Sequence, residues 1–166
     1  GIAEVGPCET TSLAAWRKTM ISSLDGVFLT FQAAMATLEP HTPARMIVVS
    51  SIAGVRGLKN AIPYTVTKHG VIGLIRGLSE EFMRRPITFN ALCPGYVDTA
   101  IVRNQLPGLM KRFDVDEQGA IAAIAKGNRH HKLLEVDETT AAAMWLCSDG
   151  ARSVNGQPSQ NSGGQV

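Results

Sequence analysis

Two short apolar runs with a helical segment between them constrain the fold of this 166-residue chain more than any other feature. Residues 45–51 end in two serines and residues 87–93 are followed by Pro94-Gly95, and both runs have the pattern of buried parallel strands. Pro63 stands where a helix can begin. Apolar residues then recur at helical spacing: Val66, Val71, Leu74, Ile75, Leu78 and Phe82. The pattern predicts a strand–helix–strand unit with a helix over 63–83, a right-handed crossover and functional groups at the carboxyl ends of the strands.

A tyrosine and a lysine lie one helical turn apart within this predicted helix. Tyr64 and Lys68 occupy positions i and i+4, which share one helix face with Cβ atoms roughly 6 Å apart. We expect the ammonium to lower the pKa of the phenol from about 10 towards neutrality, which would suit Tyr64 to general acid–base catalysis. Ser51, thirteen residues earlier, could hold a substrate oxygen beside the phenol. A solvated Tyr–Lys pair of the kind that occurs by chance in many helices is the alternative interpretation.

These residues resemble the catalytic set of the short-chain dehydrogenase/reductase family. Ser51, Tyr64 and Lys68 match its serine–tyrosine–lysine set at the usual spacing, and residues 94–99 match its PGxxxT segment. Further matches lie along nearly the whole chain: Trp16 and Gly26–Leu29 in the family's fourth helix, and Asn155–Gln157 and Gly163-Gly164 in its last turn and strand. The resemblance implies a Rossmann-like, doubly wound parallel α/β sheet. It also implies hydride transfer between a nicotinamide cofactor and a hydroxyl or carbonyl carbon.

The resemblance implies a catalytic role for four residues. Tyr64 would donate or remove the substrate proton, and Lys68 would hold the hydroxyls of the nicotinamide ribose. Ser51 would hydrogen-bond the substrate oxygen. Ser23 stands where the family has an asparagine that holds a proton-relaying water. Serine is shorter than asparagine and lacks its amide carbonyl, so the relay through Ser23 is an open question.

The segment after the second strand is the candidate cofactor contact, together with Tyr64 and Lys68. Pro94 and Gly95 open this segment, and Val97 would offer its backbone groups to the nicotinamide carboxamide. Thr99 would offer its hydroxyl to the carboxamide or to a phosphate, and a role as N-cap of the following helix is compatible with this. The resemblance implies NAD or NADP as the cofactor. It does not select between them, because the residue that does so in the family has no counterpart in this sequence.

The chain has no counterpart of the family's glycine-rich TGxxxGxG turn, whose backbone N–H groups bind the pyrophosphate. Gly1-Ile2 resembles the end of the NNAG segment that follows the family's fourth strand. Residues 1–166 are therefore expected to form one partial domain with strands five, six and seven, and strand five would have an unpaired edge along 46–49. We interpret the sequence as part of a longer enzyme. A cofactor-free remnant that serves as a scaffold or interaction subunit is the alternative.

Helix caps and breakers predict the elements at the two ends of the chain. A helix over 12–37 is expected to kink at 22–26, because Ser, Asp and Gly weaken a helix interior. Acidic residues at a helix N-terminus are favourable and predict a last helix from Asp137. A polar last strand is expected at 159–162.

Residues 99–135 correspond to the family's mobile lid over the substrate. The sequence predicts a break in its helices near Pro107-Gly108, and an apolar underside formed by Ala100, Ile101, Val102, Leu106, Leu109 and Met110. The segment most resembles the 3-hydroxybutyrate dehydrogenase and 3-oxoacyl reductase branches. In the first branch a glutamine near this position helps to hold the substrate carboxylate, so Gln105 is a candidate substrate contact, as is Tyr96. A surface amide on a lid helix is the alternative for Gln105.

Composition limits the partners and the compartment. Apolar residues make up 45% of the chain and the net charge is only +2, which does not favour nucleic-acid binding. No apolar run reaches the ~18 residues that a membrane helix needs. Three widely spaced cysteines predict reduced thiols in a cytoplasmic protein, with Cys93 and Cys147 buried, and no spacing predicts a metal site. The family's helices at about 12–37 and 63–84 pack against a second subunit, so a homodimer or homotetramer is expected.

Overall fold

The computed structural model describes residues 5–165, so the predicted NNAG-like end at Gly1-Ile2 lies outside the described residues. Its elements, in chain order, are α1 (Leu13–Met20), a π-helical turn (Ile21–Asp25), α2 (Gly26–Thr37), β1 (Ala44–Val49), α3 (Ile62–Glu81), β2 (Ile87–Pro94), α4 (Ala100–Arg103), α5 (Leu106–Phe113), α6 (Glu117–Ala125), α7 (Val136–Cys147) and β3 (Pro158–Asn161). Short 3-10 turns occur at Cys8–Thr10, Ile52–Gly54 and Asp149–Ala151. The strand–helix–strand unit predicted for residues 45–93 is confirmed as β1, α3 and β2.

The three strands form one parallel sheet in the order β1-β2-β3. Ala44 pairs with Ile87 and Val49 with Leu92, while Ala91 pairs with Pro158 on the other side of β2. The parallel α/β fold with helices flanking the sheet is thus confirmed. Because the strands are parallel, β1 and β2 end at the same edge of the sheet, where the serine pair and Pro94-Gly95 follow them.

The central strand β2 is buried along its whole length. Its alternate residues Ile87, Phe89, Ala91 and Cys93 form the core with apolar side chains of α3. Successive strand residues point to opposite faces, so Leu92 lies on the other face. Helix α7, with its buried Leu146, contacts all three strands. Helices therefore pack on the sheet around a β2 strand that has no exposed residue.

Strand β1 pairs with β2 and, within residues 5–165, with no second strand. Val49 at its end is 58% exposed. The unpaired edge expected along residues 46–49 is confirmed in the described part of the chain. Such an edge presents free backbone hydrogen-bonding groups to another strand.

The long N-terminal helix is interrupted at the predicted place, and the interruption is a π-helical turn. Ser12 caps α1 by accepting a 3.1 Å hydrogen bond from the N–H of Ala15, as its residue type favours. The π-helical turn over Ile21–Asp25 buries Ser23, which is 4% exposed. Turns of this kind occur frequently at functional sites.

The helices of the lid break close to the predicted place. The break falls at Asn104–Gln105, and Pro107 lies in the first turn of α5, where a proline has no intrahelical hydrogen bond to lose. A second break, at 114–116, separates α5 from α6. Val102 and Leu106 are buried as expected, but Ala100 and Ile101 are exposed, the latter to 58%. Fewer apolar side chains of the lid are therefore buried than the sequence predicted. Helix α4 has only four residues, and Val102 is the one that it buries.

The C-terminal elements are shifted by one residue from their predicted starts. Helix α7 begins at Val136, because Glu135 and Glu138 form a reciprocal capping box that satisfies two backbone N–H groups. Strand β3 begins at Pro158. Cys93 is buried as predicted, but Cys147 at the end of α7 is exposed, so its predicted burial was wrong. Among the described residues, no helix combines the length and the apolar character that a membrane span requires.

Candidate active site

Tyr64 and Lys68 lie on one face of α3, as their spacing predicted. The Lys68 Nζ atom is 5.5 Å from the centre of the Tyr64 ring. It donates a 3.0 Å hydrogen bond to the carbonyl oxygen of Val49, at the end of β1. Lys68 is buried and Tyr64 is half-buried. The helix therefore places both groups at the carboxyl end of the sheet.

Ser51 reaches the same place from the end of β1. It begins the 3-10 turn over Ile52–Gly54, and its hydroxyl accepts a 3.1 Å hydrogen bond from the N–H of Ala53. Burial raises the pKa of Tyr64, and the Ser51 side chain is close enough to oppose part of that rise. The structure thus brings Ser51, Tyr64 and Lys68 together.

The expected direction of the pKa shift of Tyr64 was wrong for this chain. Burial raises the pKa of Tyr64 above 10.0 and outweighs the lowering by Ser51, and the Tyr96 phenol raises it further. Burial also lowers the pKa of Lys68, an effect that the Cys93 thiol partly opposes. Desolvation penalises both charged forms. The i, i+4 spacing predicted the position of the ammonium correctly. It could not predict the pKa of Tyr64, because that also depends on the cost of removing both groups from water.

Ser23 is the residue that stands where the family has asparagine. The π-helical turn that contains it packs on α3, where the methyl groups of Leu24 lie against Gly70, two residues beyond Lys68. Ser23 is buried beside this contact. Its role in proton relay stays a prediction.

The Val97 backbone is oriented by a bridge to the segment that follows the lid. Val97 forms an isolated parallel bridge with Leu134, in which the Leu134 N–H donates to the Tyr96 oxygen and the Asp98 N–H donates to the Leu134 oxygen, both at 2.9 Å. In a parallel ladder, the N–H and C=O of the residue between two such bonds point to the opposite side. The peptide groups of Val97 therefore face away from Leu134.

Thr99 occupies the N-cap position of α4, but its side chain does not cap the helix. Its hydroxyl instead donates to the Val97 oxygen at 3.4 Å, the long end of the hydrogen-bond range. The N-cap role predicted for the Thr99 side chain is therefore wrong. Its position beside the side of Val97 that faces away from Leu134 is compatible with the predicted role towards a cofactor.

The polar groups of the lid are engaged with each other. The Gln105 Nε2 atom donates a 2.8 Å hydrogen bond to the Ile101 oxygen, on an exposed surface of the lid. Arg103 forms two hydrogen bonds, of 2.7 and 2.6 Å, with the Asp98 carboxylate and lies 3.5 Å from Glu117. These contacts correspond to the surface-amide alternative for Gln105.

Sequence reasoning missed three polar residues around the site. The Ser50 hydroxyl donates a 3.1 Å hydrogen bond to the Lys68 carbonyl oxygen and thereby ties β1 to α3. Asn90, inside β2, holds the turn before β3 through Val154 and Gln157. Asn90 is a single amide in an otherwise apolar strand. Because buried polar side chains are almost always hydrogen-bonded, this pattern could have identified it. Asn128 stands in a loop, and no local pattern marks it.

A groove of about 460 Å³ lies apart from these residues. It is lined by His130, Leu134, Glu138 and residues 160–164, and by none of Ser51, Tyr64 and Lys68. The candidate site is therefore identified by the side chains of Ser51, Tyr64 and Lys68 and not by this groove. The described residues contain no group of three or more side chains able to hold a metal ion.

Known proteins that this chain resembles in sequence and in structure are described as oxidoreductases, reductases or dehydrogenases. A family model described as enoyl-(acyl carrier protein) reductase matches residues 1–165. The oxidoreductase YxjF of Bacillus subtilis is 34% identical over 158 residues, which cover 95% of this chain and 62% of that protein. A D-beta-hydroxybutyrate dehydrogenase of Rhizobium meliloti is 26% identical over 165 residues, which cover 99% and 64%. A solved structure of a variant of actinorhodin polyketide ketoreductase with NADPH has a TM-score of 0.89 and 27% identity, and covers 99% of this chain and 64% of that one.

Proposed function

This chain belongs to the short-chain dehydrogenase/reductase family, and from that premise we propose that the whole protein is an NAD(P)-dependent oxidoreductase. It transfers hydride between nicotinamide and the carbon of a secondary alcohol or ketone. The chain spans about three-fifths of the length of the relatives it matches, 62% of YxjF and 64% of the D-beta-hydroxybutyrate dehydrogenase. The proposal therefore concerns the product of the complete gene, called the whole protein below.

The convergence of Ser51, Tyr64 and Lys68 at one edge of the sheet is the observation that carries the proposal. The phenol of Tyr64 carries its proton at neutral pH, with a pKa that burial raises above the ordinary value of 10.0, and this is the proton that Tyr64 would donate to a carbonyl oxygen. Ser51 stands at the same edge of the sheet, just after β1, and is placed to hold that oxygen. Proton donation to oxygen accompanies hydride addition to the carbonyl carbon, and the product is an alcohol. The reverse steps oxidise the alcohol.

The residues of this chain fit a nicotinamide nucleotide on two grounds. The peptide groups of Val97 face away from the Leu134 bridge. Its N–H and its C=O, which also accepts the long 3.4 Å bond from the Thr99 hydroxyl, lie side by side and could meet a carboxamide. The Lys68 ammonium is held at the end of β1 by the Val49 carbonyl, where ribose hydroxyls could replace that acceptor. Val97 lies in the segment that begins with Pro94 and Gly95 and ends with Thr99, and these residues complete the proposed cofactor contact. The bound nicotinamide would supply or accept the hydride.

The choice between NAD and NADP is open in the proposal. Three solved relatives are described with NADPH, NADP and NADH respectively, which supports a nicotinamide cofactor without selecting one.

The proposed substrates are a 3-hydroxy acid or a 3-oxoacyl compound. The relatives include D-beta-hydroxybutyrate dehydrogenases and ketoacyl reductases, which supports this class. Tyr96 follows the carboxyl end of β2, at the edge of the sheet that also carries Ser51, and is one proposed substrate contact. Gln105 would have to leave the Ile101 oxygen to reach a substrate carboxylate.

A homodimer or homotetramer is part of the proposal, through the helices at 12–37 and 63–84. These segments, together with Ile62 at the start of α3, carry apolar side chains that are 40% or more exposed: Leu13, Ile21, Phe28, Leu29, Ile62, Val66 and, in the turn after α3, Met83. Apolar surface of this kind is typical of an interaction site.

Cofactor titration followed by hydride transfer tests the proposed function. The whole protein is expected to bind NADH or NADPH and to reduce a 3-oxoacyl ester, with the loss of nicotinamide absorbance as the measurement. Tyr64→Phe should bind the cofactor and lose turnover. If the whole protein binds neither nucleotide, the proposal is wrong, and the scaffold or interaction subunit becomes the better interpretation.

A further inference from the structure

Asn128 lies in the loop after α6 and is 0% exposed. Its carboxamide forms four hydrogen bonds to three separate segments. The Oδ1 atom accepts from the Tyr96 N–H at 3.1 Å and from the Gln165 Nε2 at 2.6 Å. The Nδ2 atom donates to the Tyr96 oxygen at 3.0 Å and to the Lys132 oxygen at 2.6 Å. A carboxamide has two donor hydrogens and two acceptor lone pairs, so every polar position of this side chain is in use.

The pairing with Tyr96 has the pattern of a peptide group in a neighbouring strand. Asn128 takes both the N–H and the C=O of Tyr96, and the Leu134 N–H adds a second bond to that C=O. The preceding N–H, of Gly95, donates to the Asn161 oxygen at 2.9 Å. The backbone on the N-terminal side of Val97 is thus held by groups from three segments, while the peptide groups of Val97 face away from the Leu134 bridge.

Two glycines allow this close approach. A Cβ atom at Gly95 would lie 2.7 Å from the Asn128 Oδ1 atom, and one at Gly127 would overlap the Tyr96 ring. Neither position has space for a side chain beyond hydrogen. The segment is therefore packed around the Asn128 carboxamide as well as hydrogen-bonded to it.

We propose that Asn128 is a positioning residue, which fixes the Gly95–Val97 backbone so that the peptide groups of Val97 are oriented towards the nicotinamide carboxamide. The inference rests on the proposed function and adds a residue outside the Ser51–Tyr64–Lys68 set. Asn128 touches neither substrate nor cofactor and acts through the backbone of Tyr96. A bound nicotinamide would gain from this orientation because the N–H and C=O that it meets need no rearrangement.

Asn128→Asp is the most direct test, because it keeps the shape and the acceptors of the side chain and removes both donors. In the whole protein, the affinity for the nicotinamide cofactor should fall about tenfold, as expected for the loss of a buried hydrogen-bond donor. The affinity for the matching ADP-ribose, which lacks nicotinamide, should change less than twofold. Calorimetric titration of each variant with both ligands measures this ratio without relying on turnover.

Asn90→Asp is the matched control. Asn90 is also buried, at 1% exposure, and its Nδ2 atom donates to the Val154 oxygen, away from Val97. The same change there should lower stability and leave the ratio of the two affinities unchanged. Gln165→Met is a milder variant, which removes one of the four bonds to Asn128, and it should shift the ratio in the same direction by a smaller factor.

The outcomes separate the inference from the proposed function. A selective loss of nicotinamide affinity in Asn128→Asp or Gln165→Met supports the positioning role. An equal change for both ligands, or no change in either variant, overturns that role while the proposed function stands. If the unmodified protein binds no nicotinamide nucleotide, the proposed function and this inference are both wrong.

Discussion

The Lys68 ammonium donates a 3.0 Å hydrogen bond to the Val49 carbonyl oxygen, joining the middle of α3 to the last residue of β1. This bond keeps a buried cation at the carboxyl end of the sheet, 5.5 Å from the Tyr64 ring. The same edge carries Ser51. Strand pairing and helix packing therefore determine together where the proposed proton donor stands.

Removal of the Tyr64 hydroxyl should abolish most turnover without loss of the fold. Tyr64→Phe in the whole protein is expected to lower kcat by about 10²–10⁴-fold, the usual contribution of a general acid or base. Cofactor affinity should change little, because the lost hydroxyl serves the substrate proton. Steady-state kinetics with circular dichroism checks both points. Turnover at the unmodified rate would show that another group moves the proton.

The ionisation of Tyr64 should appear at high pH. Its pKa is raised above 10.0 in the folded chain, so the stability that this group contributes is complete below pH 10 and is lost as the pH rises through the raised pKa. The tyrosinate difference spectrum between the unmodified protein and Tyr64→Phe isolates this titration. Ser51→Ala should move it to still higher pH, because the Ser51 side chain opposes part of the rise in pKa. A midpoint below 10 would mean that burial does not dominate.

Replacement of Lys68 should separate function from stability. Burial lowers the pKa of Lys68, so the folded state carries a desolvation cost that is largest below that pKa and disappears as the pH rises towards 10.5. Lys68→Met should therefore leave the thermal midpoint at neutral pH unchanged or higher, while hydride transfer falls by about 10²-fold or more. Lys126→Met, at an exposed position, is the control and should affect neither. A large loss of stability in Lys68→Met would contradict this account.

A methyl group at Gly54 should separate β1 from α3. The added Cβ would lie 2.7 Å from the Ser50 hydroxyl and 2.8 Å from the Lys68 carbonyl oxygen, and the second of these is backbone and cannot move aside. Gly54→Ala is expected to lower the free energy of unfolding by about 1–3 kcal/mol. Gly57→Ala, where nothing lies within 4 Å of the added atom, should change it by about 0.5 kcal/mol or less. Denaturant titration of the two variants of the whole protein measures the difference, and equal values would refute the packing argument.

A charge placed on the exposed face of α2 should weaken subunit association. Leu29 is 57% exposed in the single chain, and an interface that covers it would have to bury the new carboxylate in Leu29→Glu. Sedimentation velocity of the whole protein should show a smaller species for this variant. Val115→Glu, between α5 and α6, is the control and should sediment like the unmodified protein. Unchanged sedimentation of Leu29→Glu would exclude this face as the interface.

Local patterns determined the fold of this chain to a large extent. Apolar runs, a helix-starting proline and a 3.6-residue repeat predicted β1, α3 and β2, because each depends on backbone geometry and on neighbours within a turn or two. The same local geometry placed Tyr64 and Lys68 on one helix face. Ser51 followed from its position just after the first strand, whereas Val97 was implied by the family resemblance.

Only the tertiary structure decided how those groups behave. The direction of the Tyr64 pKa shift depends on burial, which no spacing records. The Lys68–Val49 bond joins residues 19 positions apart. Three of the four bonds of Asn128 join residues 32–37 positions apart, and the fourth, to Lys132, spans four. Sequence by itself determines interactions within a helical turn, whereas the free energy of a charge or a carboxamide is set by whatever distant segments surround it.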